Sequence, residues 1–155
     1  MTPSPTRRVV GSVSPIRRDI PGTPFDAEAV AWNFDRWFDT ANPQHFEKWD
    51  FTYWSLMFQG YKDEDQDDDG EADSFFVGAE ATGPLSVTLT LSRPNAPLLQ
   101  TLAMGNFAFA SPTAVERAAD SYGTPDGDPI AVGTGPYRVK DWVPGDHVTI
   151  ERYPD

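Results

Sequence analysis

The chain contains no cysteine, which excludes disulfides, thiol catalysis and zinc–thiolate sites. It leaves the redox compartment open, because a protein exported without disulfides reads the same way. No apolar run approaches the ~20 residues that a membrane span requires, so the chain is not expected to be membrane-spanning. Cations are scarce: 12 Lys and Arg stand against 24 Asp and Glu, a formal charge of −12. Residues 1–25 carry +3, through Arg7, Arg8, Arg17 and Arg18 against Asp19, so residues 26–155 carry −15. No cluster of Lys and Arg follows Arg18. Such a body repels phosphate backbones and anionic membrane surfaces, and no nucleic acid is expected as a partner.

Catalytic inventory is equally thin. The two histidines, His45 and His147, lie in different segments, and neither has a metal-ligand partner at helical spacing. There is no nucleophile elbow and no phosphate-cradling loop. Gly133-Thr-Gly135 is followed by Pro136 and a strand pattern, where a dinucleotide fold needs a helix N-terminus. The reading is a protein that is not an enzyme.

What is present is enough for a packed interior. At 155 residues, with 39% hydrophobic and 13% aromatic content, one domain is expected to bury roughly 70% of its unfolded surface. Residues 1–19 read as a basic, Pro-rich, loosely ordered leader whose patch from Val9-Val10 to Ile16 offers a short strand at best. Its Arg7-Arg8 pair looks like a twin-arginine signal, but Gly11, Ser12, Ser14 and Pro15 interrupt the apolar core that export needs. Ordered structure is expected from about Ile20.

Asp26 is a good N-cap and Glu28 a favourable first-turn acid. Val30, Phe34, Trp37, Phe38 and Ala41 then follow one helical face, predicting a helix from about Ala27 to Ala41 closed by Asn42-Pro43. Residues 44–61 hold Phe46, Trp49, Phe51, Tyr53, Trp54, Phe58 and Tyr61 without a clean period. They are either core or a wall on which a ligand stacks.

Leu85, Val87, Leu89 and Leu91 alternate with Ser and Thr, which predicts a half-buried strand. Phe75 to Thr82 is its antiparallel partner through Gly83-Pro84. Asn95 with Pro97 opens a short helix with Leu98, Leu99, Leu102 and Ala103 facing inward. Ser111-Pro112 opens another through about Ala119. Helices and strands are segregated, as in an α+β domain. The last segment, Gly133 to Asp155, reads as a twisted hairpin, a structure that needs a sheet or helix to pack on.

Between the aromatic run and the first hairpin, Lys62 to Asp73 holds eight acids. Asp65, Asp67, Asp69, Gly70, Glu71 and Asp73 match the start of a calcium loop, with oxygens at alternate positions and glycine at the sharp turn. The twelfth position is Phe76, where such a loop needs a bidentate carboxylate. The alternatives are a solvated acidic turn and a calcium site; no cofactor is required.

Several segments, in order, carry a family resemblance. They are Gly22-Thr-Pro-Phe-Asp-Ala-Glu-Ala-Val30, Val87-Thr-Leu-Thr-Leu-Ser-Arg-Pro-Asn-Ala-Pro97, Ala110-Ser-Pro-Thr-Ala-Val115, and Gly133-Thr-Gly-Pro-Tyr-Arg-Val-Lys-Asp-Trp142 with Pro144-Gly-Asp and Glu151-Arg. Over about residues 20–155 the chain resembles the family 5 extracellular solute-binding proteins of ABC transporters, the peptide, dipeptide, oligopeptide and nickel-binding group. The resemblance implies part of a two-lobed, class II periplasmic-binding-protein-like fold, in which residues 20–132 form the small α+β domain and residues 133–155 a crossing hairpin into the main lobe. It implies a truncated member, a periplasmic or extracytoplasmic place, and a role in peptide transport, capturing a peptide or other small solute for an ABC permease. It also implies that the aromatic segment Phe51 to Phe58 lies near the solute, with Tyr53 and Trp54 as the expected contacts. The competing reading is a stand-alone acidic binding module built on the calcium loop.

Overall fold

The first long element follows from its cap. The structure, a computed structural model, describes residues 7–12, 24–46, 48–49 and 51–153, the first range in its backbone alone. Asp26 sits in extended conformation and its Oδ1 accepts from Ala29 N at 2.9 Å, opening helix α1, Ala27–Phe38. Ala27, Val30, Phe34, Trp37 and Phe38 are buried along one stripe. The helix stops three residues short of the expected Ala41, because Asp39 competes for the backbone. Its Oδ1 accepts from Ala41 N at 2.9 Å and its Oδ2 from Lys62 Nζ at 2.6 Å, which favours an extended residue over another helical turn.

Helix α2, Thr52–Phe58, ends at Gln59 and Gly60, both at positive φ. The acidic loop then leads into a three-stranded antiparallel sheet in the order β1-β3-β2, made by β1 (Arg7–Ser12), β2 (Phe76–Gly83) and β3 (Ser86–Leu91). The β2–β3 hairpin pairs Phe76 with Leu91, Ala79 with Leu89 and Ala81 with Val87. Its turn is tied to the helix start, since Ala27 N donates to Pro84 O at 3.1 Å. This hairpin is the expected one.

Strand β1 is the short strand that the Val9-Val10 patch offered at best, and over Arg7–Ser12 it corrects the reading of residues 1–19 as loosely ordered. Arg7–Ser12 pairs along the whole of β3, from Arg7 with Leu91 to Ser12 with Ser86. The β-branched Val9-Val10 pair suits an extended chain, and β3 has a second edge that β2 leaves open. The rest of that leader, and the onset near Ile20, lie outside the described residues.

Helix α3, Leu98–Leu102, and helix α4, Pro112–Ala118, follow as expected, with a 3₁₀ turn at Gly105–Phe107 between them. The inward face of α3 differs from expectation. Leu98 and Thr101 are buried, whereas Leu99 is 70% exposed and Ala103 is exposed. A helix this short shows one narrow face to the core, and positions three and four apart share it.

The core lies between α1, α2 and the sheet. Phe34 stacks on Phe76 at 5.6 Å, Phe38 meets Phe76 edge-on at 5.0 Å, and Trp54 stacks on Phe58 at 4.1 Å. Asn33, fully buried, joins α1 to the segment before α4. Its Nδ2 donates to Ala29 O at 2.8 Å and Ala110 O at 2.9 Å, and its Oδ1 accepts from Ala110 N at 3.1 Å. Strands β4 (Tyr137–Val143) and β5 (His147–Arg152) make a separate two-stranded sheet. Tyr137, Val148 and Ile150 on it are more than half exposed.

Candidate functional site

The two neighbouring aromatics expected to meet a solute face opposite ways on α2. Trp54 is 1% exposed and sits at the centre of the aromatic core, 4.9 Å from Phe76 edge-on and 6.1 Å from Phe34. It is a core side chain and presents no face to a ligand, which corrects the expectation for this residue. Tyr53 is 46% exposed on the outer face of the same helix. The rest of the aromatic segment divides in the same way: Phe58 is core, and Leu56 is 64% exposed.

The acidic loop folds back toward that outer face. Ser55 and Leu56 of α2 with Gln59 just after it form one wall of an open cleft of about 650 Å³, and Asp67, Asp69 and Asp73 with Arg93 line the other. The cleft is mostly polar. Two segments that the sequence kept apart are therefore neighbours, although Tyr53 itself does not line the cleft.

Within the loop, Asp65, Asp67 and Asp69 each offer a carboxylate oxygen, and these lie within 4.8 Å of one another. Backbone amides hold them: Gly70 N donates to Asp65 Oδ2 at 2.8 Å, Asp69 N to Asp65 Oδ1 at 3.2 Å, and Glu71 N to Asp69 Oδ1 at 2.8 Å. Glu71 and Asp73 are not part of the convergent set. Asp73 Oδ2 instead accepts from Gln66 N at 2.7 Å, which closes the loop. Phe76 at the twelfth position is 2% exposed and paired into β2, so the bidentate donor of a calcium loop is replaced by core. Three carboxylates, Asp65 half-buried and Asp67 and Asp69 exposed, are a partial donor set for a hard divalent cation.

A third place escaped the sequence reading. Arg36, on α1, is 5% exposed. Its guanidinium carbon lies 5.3 Å from the ring centres of Trp32 and Trp49 and 5.5 Å from that of Phe51. Nε donates to Asn33 Oδ1 at 3.1 Å, while Nη1 has no acceptor. Burial pulls the Arg36 pKa down to about 10, so it stays charged at neutral pH; Tyr122, whose own pKa burial pushes up, works in the opposite direction on it. Tyr122 also closes the far side: its ring is 5.8 Å from Trp49, and its hydroxyl donates to Val132 O at 3.2 Å and accepts from Val132 N at 3.0 Å. The only local signal is weak: Asn33 falls inside the Val30–Phe34–Trp37 stripe and Arg36 lies one turn on, but polar residues at such positions are normally read as solvated.

The histidines serve locally. His45 Nδ1 is 2.8 Å from Arg36 O, and His147 lies 3.0 Å from Asp146 Oδ2 and 3.7 Å from Asp141 Oδ2. No helix among the described residues is long and apolar enough to cross a membrane.

Residues 21–155 match the bacterial extracellular solute-binding proteins, family 5, middle part. Glutathione-binding protein GsiB of Escherichia coli K12 is 31% identical over 132 residues, covering 85% of this chain and 20% of that protein; the Shigella flexneri GsiB is 30% identical with the same coverage. The chain thus spans about a fifth of the length of these relatives. Among solved structures, the periplasmic binding protein DppA of Helicobacter pylori, in complex with the peptide STSA, superposes with a TM-score of 0.64 at 20% identity, over 97% of this chain and 27% of that one. HbpA2 of Haemophilus parasuis gives 0.61 at 22%, over 93% and 25%. NikA of Brucella suis, in complex with Fe(III)-EDTA, gives 0.57 at 25%, over 94% and 24%. The α+β architecture is that of part of a two-lobed periplasmic binding protein. The chain belongs to the bacterial extracellular solute-binding proteins of family 5.

Proposed function

We propose that the chain is a substrate-binding component of an ABC importer, working outside the cytoplasmic membrane. It captures peptides or similar small solutes for delivery to a membrane permease, and it is not an enzyme. The observation that carries this is the family match over residues 21–155. Relatives named for glutathione binding and a neighbour solved with a tetrapeptide support peptides as the solute class. Tyr53, exposed on the outer face of α2, is the proposed solute contact from the aromatic segment. A one-sided surface buries little of a ligand, so affinity in the millimolar range, about −4 kcal/mol, is expected of these residues alone.

Calorimetry of the chain with glutathione and with the peptide Ser-Thr-Ser-Ala tests this. Binding of either that Tyr53→Ala weakens at least about tenfold, a difference of about 1.4 kcal/mol, supports the reading. Absence of heat for both at concentrations well above the millimolar range sinks it. The convergence of Asp65, Asp67 and Asp69 favours a second reading, a calcium-loaded module. It ranks lower because Phe76 withdraws the decisive ligand. Micromolar calcium binding in the same calorimeter, with a rise in Tm, would put that reading first.

A further inference from the structure

A buried polar group without a partner calls for an explanation, and a buried charge calls for one more strongly. Arg36 is both. It is 5% exposed, Nη1 lacks an acceptor, and among the described residues no carboxylate forms an ion pair with it. The body of the protein is rich in acids, yet the described ion pairs fall at other places: Asp39 with Lys62, Asp120 with Lys48, Asp128 with Arg117, and Glu151 with Arg138 and Lys140.

What surrounds the guanidinium is aromatic. Trp32, Trp49 and Phe51 hold it by cation–π attraction, which compensates part of the lost hydration without using its N–H donors. The hydrogen bond from Nε to Asn33 Oδ1 fixes one edge of the plane. Asn33 is itself locked to Ala29 and Ala110, so the guanidinium is held in place before any ligand arrives. The enclosing rings are only half-buried, which puts the free Nη1 one side chain beneath the surface. A fixed, desolvated guanidinium with one free donor, Nη1, and apolar walls suits an anion on an apolar carrier.

We propose that Arg36, with Trp32, Trp49 and Phe51, forms a subsite for a carboxylate-bearing solute, the carboxylate accepting from Nη1 and the rings covering the adjoining apolar part. This deepens the solute-binding reading and rests on it for the identity of the carrier. The subsite itself can be tested without any import activity.

The probe is benzoate, with uncharged benzamide and with sodium sulfate as controls, added to the full chain and to Arg36→Gln. Benzoate at ten times its Kd is expected to raise the wild-type Tm by about 3–6 °C, and benzamide or sulfate to do much less. Arg36→Gln is expected to lose the benzoate effect. No benzoate effect, an equal effect of sulfate, or an effect retained in Arg36→Gln overturns the assignment. Should Arg36→Gln fail to fold, nitrogen-15 NMR of the wild-type arginine side chains replaces it. The Arg36 Nη protons are expected to slow and shift on adding benzoate. Nη protons already slowed before benzoate reveal an internal acceptor and overturn the proposal. If glutathione or Ser-Thr-Ser-Ala binds while Arg36 stays silent, the subsite fails and the solute-binding reading stands. If benzoate acts through Arg36 but neither peptide binds, the reverse holds.

Discussion

Tyr53 and Trp54 are adjacent in sequence and differ in fate because an α-helix turns each residue about 100° from the last. Trp54→Ala removes a ring at the centre of the core and is expected to cost about 3–5 kcal/mol, whereas Tyr53→Ala, at 46% exposure, should stay within about 0.5 kcal/mol. Urea denaturation of the two variants checks this, and a mild Trp54→Ala would place the ring outside the core. The stripe Val30–Phe34–Trp37–Phe38 was legible because apolar residues announce their burial by period. Asn33 and Arg36 were not, because polar residues on a helix are normally read as solvated, and only contact with a distant segment, here Ala110, shows otherwise. Asp35 gives a charge test on the same helix. Burial and the nearby Asp39 raise its pKa, with Lys62 opposing, so its ionised form costs stability. Because the folded pKa lies above the unfolded one, that cost is present at neutral pH and vanishes as pH falls below the carboxylate range. Asp35→Asn is therefore expected to stabilise the protein by about 0.2–0.5 kcal/mol at pH 7 and by nothing near pH 3, as followed by thermal melts across pH. A gain that persists at pH 3 would point to packing as its source.

Elements differ in how far local sequence determines them, for reasons that change from one to the next. The β2–β3 hairpin was legible because strict alternation fixes its face and Gly83-Pro84 fixes its turn. The start of α1 was legible from Asp26, and its end was not, since the Asx turn at Asp39 depends on Lys62, which is distant in sequence. Strand β1 is faint in the sequence because its pairing partner lies nearly eighty residues away, and short runs with glycine and serine carry weak local signal. In α3 four apolar residues in six gave no unique face, and the core took Leu98 while leaving Leu99 to solvent. The N-cap is the point where such an element is easiest to test. Asp26→Ala removes the acceptor of Ala29 N and is expected to cost about 1 kcal/mol, read as a lower urea midpoint with unchanged slope. Asp26→Asn, which keeps a capping oxygen, should recover most of that loss; if it does not, the cap is not the source of the effect.

At the scale of the whole molecule, the chain consists of a body with one core and a hairpin that takes little part in it. Among the described residues the core cluster runs from Ala27 to Phe107 and includes none of β4 or β5, while Tyr137, Val148 and Ile150 remain more than half exposed. The two parts face each other across an open cleft of about 600 Å³, with Arg117, Asp128 and Ile130 on one side and Arg138, Lys140 and Tyr153 on the other. The charges shown at the cleft pair within each side, Arg117 with Asp128 and Arg138 with Glu151. The body is closed at Val132, whose backbone N–H and C=O both bond the Tyr122 hydroxyl. From this we expect the boundary between body and hairpin to fall just after Val132. A chain ending at Val132 keeps the Tyr122 latch and the described core, and should unfold cooperatively with a Tm within about 4 °C of the full chain, the shift that about 1 kcal/mol makes at this size. Ending it instead at Ser121 removes Tyr122, exposes the Trp49 and Arg36 side of the body and should cost substantially more. A fall beyond about 10 °C for the Val132 variant, or loss of its cooperative transition, would show that the hairpin is part of the folding unit after all.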